Sequence, residues 1–165
     1  MKPFVYCPHC GTPLEARSIS GRERPACGAC GFIYFQDPKV AVGVLVVDRN
    51  RTLLVKRAVD PRLGHWALPA GFMEADELPE EAACREVQEE TGLEVVLDGL
   101  IAIERLPHPE KQGILLTFRG RVARGHLQPQ DDVSAAAWFT ADAIPWEDLA
   151  FPTTWKVLQS WAAAV

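Results

Sequence analysis

Three carboxylates set the chemical question. In the stretch Gly71 to Leu93, GFMEADELPEEAACREVQEETGL, Glu86, Glu89 and Glu90 fall within about one third of the circumference of a helix turning ~100° per residue. Two unit charges about 4 Å apart repel by roughly 4 kcal/mol at an effective dielectric near 20, so such a cluster calls for a cation. The ordinary role of a charge run is a solvated face, and a solvated face interleaves Lys or Arg at i,i+4. Glu86 instead has Ala82 four residues before it and Glu90 four after, and so faces like charge rather than a partner. A hard divalent ion suits the set. Mg²⁺ or Mn²⁺ takes oxygen ligands, keeps several waters and binds through a few carboxylates plus substrate phosphates, which fits three glutamates open to solvent. The chemistry expected of such a site is phosphate chemistry.

The helix that carries the acids is bounded by two signals. Pro79 suits a first turn, where its missing N–H would be unpaired anyway, and Gly92 suits a left-handed stop. The helix therefore runs roughly from Leu78 to Thr91. Ala82 lies beside the acids and Ala83 at their margin. Ala83, Cys84, Val87 and Thr91 fall mainly on the other side, which is the core face.

Gly71, Glu77 and the run Arg85-Glu86-Val87-Gln88-Glu89-Glu90-Thr91-Gly92-Leu93 resemble the Nudix box, G-x5-E-x7-R-E-U-x-E-E-x-G-U with U aliphatic, at every fixed position. The resemblance to the Nudix hydrolase family implies that Glu86, Glu89 and Glu90 bind divalent metal and that a backbone carbonyl near Gly71 joins them. It also implies that Glu77 pairs with Arg85 to hold the glycine loop against the helix. The residues agree, since Glu77 precedes the helix and Arg85 lies beside Glu89. Without the box, the Glu77–Arg85 pair would read as a surface salt bridge worth about 0.5 kcal/mol.

Cys7-x2-Cys10 and Cys27-x2-Cys30, with 16 residues between them, match the spacing of a tetrahedral zinc site. Each pair is followed by a glycine, Gly11 or Gly31, which allows the tight turn that aims both sulfurs at one ion. Two disulfides or free thiols are the other readings, and a reducing compartment disfavours the first. A module of about 30 residues cannot bury enough apolar area to fold alone, so Zn²⁺ would hold it together. Four cysteines close the coordination shell, which makes this zinc structural rather than catalytic. His9 reads as surface, and the fifth cysteine, Cys84, as a small apolar filler.

The chain has 165 residues and a formal charge of −5. No apolar run is long enough to span a membrane, and no secretory signal pattern opens the sequence, so the expected compartment is the cytoplasm. The acidic balance, with no conspicuous Lys or Arg run, disfavours a general nucleic-acid binder. A small anionic substrate remains compatible with a local metal.

The positioning elements follow from patterning. Gln36-Asp37-Pro38 marks a join, giving a zinc ribbon over residues 1–36 and a second domain over 37–165. Val40 to Val47 is a nearly unbroken apolar run suited to a buried strand, Asp48-Arg49-Asn50 a turn, and Thr52 to Arg57 the next strand. Lys56 and Arg57 end that strand on opposite faces; the resemblance favours Arg57 for a substrate phosphate. His65-Trp66-Ala67-Leu68-Pro69-Ala70-Gly71 is similar to the family's G-x-W-x-L-P-G-G, with Ala70 in place of the first glycine of the pair. That exchange is tolerated if φ is negative there and stiffens the loop. Trp66 reads either as a base-stacking ring or as a core packer, and Glu74 as a further metal ligand or a solvated acid. The substrate contacts carried into this reading are Arg57, Trp66, Glu74 and Phe72.

In the carboxy-terminal half, strands are expected over Glu94 to Glu104, Gly113 to Val122 and Ala136 to Phe139. The Pro107-His108-Pro109-Glu110-Lys111 loop is a candidate lid. Trp155, Leu158 and Trp161 recur at helical spacing within Pro152 to Ala164, which predicts an amphipathic helix. Strands alternating with two helices imply the α/β class, an α/β/α sandwich around a mixed sheet, in agreement with the Nudix fold.

The favoured chemistry is metal-assisted hydrolysis of a pyrophosphate, releasing a nucleoside monophosphate. Glu89 stands slightly ahead of Glu86 as the base. Asp131 and Asp132 occupy the later-loop position that some family members use, but Ala135 stands where relatives often have Glu. The tail LAFPTTWKVLQSW resembles that of zinc-ribbon members that cleave FAD or ADP-ribose. The NADH pyrophosphatase subgroup carries SQPWPFPxS after the box, which Gly92 to Val165 lacks, so NADH ranks second. Two further readings are removal of a nucleotide cap from RNA, with Arg17, Arg22 and Arg24 as basic contacts but no aromatic and basic stripe for stacking, and a ligand-sensing regulator without turnover. A homodimer is carried by the resemblance alone.

Overall fold

The computed structural model describes residues 4–106 and 112–165; the candidate lid at 107–111 lies outside them. The chain divides into two compact units, Met1–Pro38 and Lys39–Val165.

In the first unit, strands β1 (Leu14–Ile19) and β2 (Arg22–Cys27) form an antiparallel ribbon. Ser20 and Gly21, at φ 52° and 74°, close its turn. The Tyr6–Pro13 and Ala26–Ile33 bridges flank the ribbon with one knuckle on each side. The Gly11 N–H donates to the Cys7 carbonyl at 2.9 Å and the Gly31 N–H to the Cys27 carbonyl at 3.2 Å, each glycine in the left-handed region at φ 72° and 75°. An L side chain rarely adopts that conformation, which is why each pair is followed by glycine.

The second unit is built on β3 (Lys39–Asp48), whose run VAVGVLVV is buried on both faces. Alternation sends Val42, Val44 and Val46 to one face and Leu45 to the other. β4 (Arg51–Arg57) divides likewise, Leu53 one way and Leu54 the other. The sheet runs β5–β4–β3–β8–β7, with β6 also on β3 and β9 also on β4. Here β5 is Trp66–Ala67, β6 Ala70–Phe72, β7 Leu93–Arg105, β8 Gly113–Gly125 and β9 Val133–Thr140. The β3–β8 pairing is parallel and the others antiparallel, so the sheet is mixed.

Helix α1 (Pro79–Thr91) covers one face through Ala82, Ala83 and Val87, and α2 (Pro152–Ala162) covers the other through Val157, Leu158 and Trp161. This is the expected α/β/α sandwich. Two details differ from the patterning. Ala82 is wholly buried rather than flanking the acids in solvent, because α1 lies flat on the sheet. Trp155 is 41% exposed and packs edge-on against Trp146, so the buried stripe of α2 is carried by Thr153, Thr154, Val157, Leu158 and Trp161. β3 pairs with β6 only over Ala41–Gly43 and with β4 only at Val47 and Asp48. No helix among the described residues is long and apolar enough to cross a membrane.

Candidate functional site

α1 begins at Pro79 in the N1 position and ends at Gly92, at φ 70°, whose N–H donates to the Gln88 carbonyl. Its last orphan carbonyls are met by the following chain. The Gln128 N–H donates to the Thr91 carbonyl at 2.9 Å and the Gln130 N–H to the Glu90 carbonyl at 3.0 Å. That threading carries the chain past the helix end to Asp131, at φ 52°, and to Asp132, whose carbonyl accepts from the Ala58 N–H at 2.7 Å.

The glycine loop meets α1 through Arg85. Its guanidinium donates to both carboxylate oxygens of Glu77, to the Phe72 carbonyl at 3.1 Å, to Glu86 at 2.7 Å and to Glu89 at 2.9 Å. Hydrogen bonding to Arg85 holds the Glu77 carboxyl down at about 2. Glu86 therefore has a cationic neighbour after all, one residue back rather than one turn away, and the expectation that it faces like charge alone is corrected. Its carboxylate fills the space in front of Gly71, where a β-carbon would collide with it.

The three acids are not equally open, which corrects the picture of three solvated glutamates. The side chain of Glu89 is 47% exposed and that of Glu86 12%, while Glu90 as a residue is 3% exposed. The Ala70 N–H donates to Glu90 at 3.1 Å. Burial pushes the Glu90 carboxyl well above its ordinary range, and the charges of Asp132 and Glu86 add to this against the opposing pull of the Ala70 amide and Arg57. Burial likewise raises Glu86; Arg85 opposes the rise, and Glu89 and Asp132 reinforce it. Carboxylates brought together, partly buried and short of counter-charge, form an oxygen donor set fit for a hard divalent cation.

Beside this cluster a cleft of about 250 Å³ is lined by Gly71, Phe72, Arg57 and Asp132 among others, with Phe151, Thr153 and Thr154 closing one side. Arg57 donates from Nε to the Pro61 carbonyl at 2.7 Å, and its guanidinium lies over the Phe151 ring, 5.4 Å from the centroid. Of the expected substrate contacts, Arg57 and Phe72 line the cleft. Trp66 does not: its ring packs edge-on against Phe139 at 5.0 Å, at the margin of the core under α2, with Lys56 above it. Glu74 is exposed on the loop, its amide donating to Glu77 at 2.9 Å, and is not a lining residue. Ala70 has no positive φ, so the alanine there is unstrained.

In the first unit the Sγ atoms of Cys7, Cys10, Cys27 and Cys30 all lie within 4.8 Å of one another, with Cys7–Cys30 and Cys10–Cys27 both at 3.5 Å. A tetrahedron of Zn–S bonds near 2.3 Å spaces its sulfurs about 3.8 Å apart, so the four thiols fit that ion. Hydrogen bonding with Thr12 draws the Cys10 thiol down, while hydrogen bonds from its neighbours in the cluster push Cys30 up, so the four sulfurs share their protons and the fit to zinc rests on their spacing. Cys84, in the second unit, is half-buried, and burial raises its thiol.

The fold and this arrangement define a protein class, and a family model for the NUDIX domain matches residues 37–160. The chain belongs to the NUDIX family. Among its relatives, the NAD-capped RNA hydrolase NudC of Stutzerimonas stutzeri is 32% identical over 142 residues, covering 85% of this chain and 49% of that protein. The ADP-ribose pyrophosphatase of Methanocaldococcus jannaschii is 37% identical over 110 residues, 66% of this chain and 65% of that one. The chain thus spans about half the length of the NudC proteins it matches. Among solved structures, a NUDIX hydrolase from Nitrosomonas europaea superposes with a TM-score of 0.89 at 33% identity, covering 97% of this chain and 91% of that one.

Proposed function

We propose that the chain is a divalent-metal-dependent pyrophosphohydrolase that cleaves the diphosphate of a nucleoside diphosphate linked to a second moiety. The observation that carries this reading is the convergence of Glu86, Glu89, Glu90 and Asp132 beside a cleft that also holds Arg57. Glu86, Glu89 and Glu90 would hold Mg²⁺ or Mn²⁺, with a backbone carbonyl near Gly71. The ion supplies charge neutralisation of the diphosphate and a more acidic water. Arg85 and Glu77 position the loop and the helix. Arg57 offers a positive charge to the phosphates. Glu89, the most exposed of the three acids, is placed to take a proton from an attacking water, which must come within about 3 Å.

FAD or ADP-ribose is the favoured substrate type, supported by the likeness to the M. jannaschii ADP-ribose pyrophosphatase and by the absence of SQPWPFPxS. NADH or NAD-capped RNA is the second reading, favoured by the NudC relatives, whose match covers 85% of this chain. A surface feature of the first unit also favours it. Phe4, Tyr6 and Phe35 are exposed and the Arg24 guanidinium stacks on Phe35 at 4.7 Å, so the ribbon does present aromatic and basic groups suited to stacking single-stranded bases.

The test is a hydrolysis screen with Mg²⁺ or Mn²⁺ over FAD, ADP-ribose, NADH and NAD-capped RNA, reading nucleoside monophosphate or 5′-monophosphate RNA against a Glu89→Gln control. A leading FAD or ADP-ribose signal that the variant lacks supports the favoured reading, and a leading NADH or capped-RNA signal moves it to the second. Full turnover by Glu89→Gln would remove the metal-site assignment.

A further inference from the structure

Helix α2 starts in the cleft with its first amides open. Its N-cap residue, Phe151, supplies no side-chain cap, and Pro152 occupies N1. Of the first-turn amides, that of Trp155 reaches the Phe151 carbonyl at 3.2 Å, while those of Thr153 and Thr154 have no backbone acceptor among the described residues. The side chains of the same two residues repeat the pattern. Thr153 and Thr154 are 7% and 5% exposed, both line the cleft, and neither hydroxyl has a hydrogen-bond partner among the described residues. Two unpartnered hydroxyls that open onto the cleft, on residues otherwise buried, thus stand beside two open amides and give this wall of the cleft a concentrated set of donors.

The charge at this spot has the matching sign. Arg57 lies over Phe151, the residue that leads into α2, and among the described residues no carboxylate comes within ion-pair distance of its guanidinium. The helix start adds partial positive charge. Asp132 lines the same cleft, and Arg57 lies near enough to Glu90 to oppose the rise of its carboxyl; these carboxylates repel any anion until a cation joins them. The donors of α2 and the guanidinium of Arg57 are thus matched to an anion in the cleft.

We propose that the first turn of α2, with Arg57, is a phosphoryl-binding site that takes the phosphate of a diphosphate substrate lying away from the acid cluster. It rests on the pyrophosphohydrolase reading for the identity of the substrate and not for the anion site itself. Thr153 and Thr154 donate from amide and hydroxyl, Arg57 donates from its terminal nitrogens, and the walls of Leu68, Leu115 and Phe151 exclude water around them.

The experiment uses the full chain, ¹⁵N-labelled and held with EDTA, titrated with inorganic phosphate at constant ionic strength. Without a divalent ion the acid cluster rejects the probe. Saturable shifts of the Thr153 and Thr154 amides are expected. Arg57→Gln, and the isosteric pair Thr153→Val/Thr154→Val, should each weaken binding roughly tenfold, the scale of one lost hydrogen bond to a charged group. Thr153→Ser/Thr154→Ser should restore it, since it returns the hydroxyls. Unmoved Thr153 and Thr154 amides, or an Arg57→Gln protein that titrates like the parent, would overturn the site. Glu89→Gln should still bind phosphate, so failure of the hydrolase reading leaves this measurement intact, and turnover without phosphate shifts at α2 overturns only the α2 site.

Discussion

The carboxylate of Glu86 occupies the volume that a side chain on Gly71 would need. Glycine is required there for closeness rather than for an unusual φ, since Gly71 is not among the glycines with positive φ. Loop and helix are thereby pressed together at the atoms that would hold the ion. Gly71→Ala should displace Glu86 and lower kcat by roughly 10²-fold, the scale of a 1 Å misplacement. The circular-dichroism spectrum should be unchanged and Mn²⁺ affinity weakened. Normal kcat in Gly71→Ala would mean that Glu86 is free to move without consequence.

Glu90 separates stability from activity. It is buried, near the like charges of Asp132 and Glu86, and its one hydrogen bond within the site comes from a neutral amide. In the metal-free protein a buried carboxylate so placed opposes folding. Glu90→Gln should therefore raise the melting temperature in EDTA while weakening Mg²⁺ binding and turnover. Glu89→Gln, at an exposed position, should abolish most turnover with little change in melting temperature. Thermal scans with EDTA and with excess Mg²⁺ separate the two variants. A Glu90→Gln protein that melts lower in EDTA would show that the buried acid contributes packing the charge does not cancel.

Acid should loosen the loop through Glu77. Its folded-state carboxyl is held at about 2 by Arg85, below the roughly 4.3 of an unstructured chain. A depressed carboxyl contributes stability that is present above the unfolded value and is lost as pH falls through the folded one. The contribution should thus be whole near pH 7, decline from about pH 5 and be gone near pH 2. Glu77→Gln removes it at all pH values. Urea midpoints of the two proteins should differ at pH 7 and converge toward pH 2, and a constant difference across that range would contradict the assignment.

Much of this site was legible in the chain because its signals are local. Pro79 and Gly92 bracket α1, glutamates three and four apart must share its face, and CxxC pairs must aim their sulfurs together. The β3 run announces a strand buried on both sides. What stayed hidden depends on distant segments meeting. The burial of Glu90 follows from the Ala70 amide and from a chain that crosses α1's end to satisfy its carbonyls. Asp132 reaches the acids only because β9 pairs with β4 in a register that shifts between Lys56 and Arg57. Periodicity put Trp155 in the core, yet the sheet covers a neighbouring stripe. A helical wheel names the face; the partner decides its width. The tryptophan of the loop, Trp66, could be read either way from sequence, and Phe139 decides for packing.

The cysteine unit should depend on its metal while the second unit does not. Among its described residues the first unit has few buried apolar side chains, chiefly Cys7, Ala26 and Cys27, so four thiolates converging without an ion leave little to order them. Cys27→Ser removes a buried sulfur from the center of the cluster. It should lower bound zinc from one equivalent toward none. The dispersed amide signals of residues 4–38 should be lost while those of 39–165 persist, because the cores under α1 and α2 draw on residues from Val42 onward. A strong chelator at neutral pH should reproduce this in the parent protein, with four thiols becoming reactive as the zinc leaves, and added Zn²⁺ should reverse it. If the amides of 4–38 stay dispersed in the zinc-free protein, the ribbon is held by its hydrogen bonds alone and the metal is an occupant rather than a support.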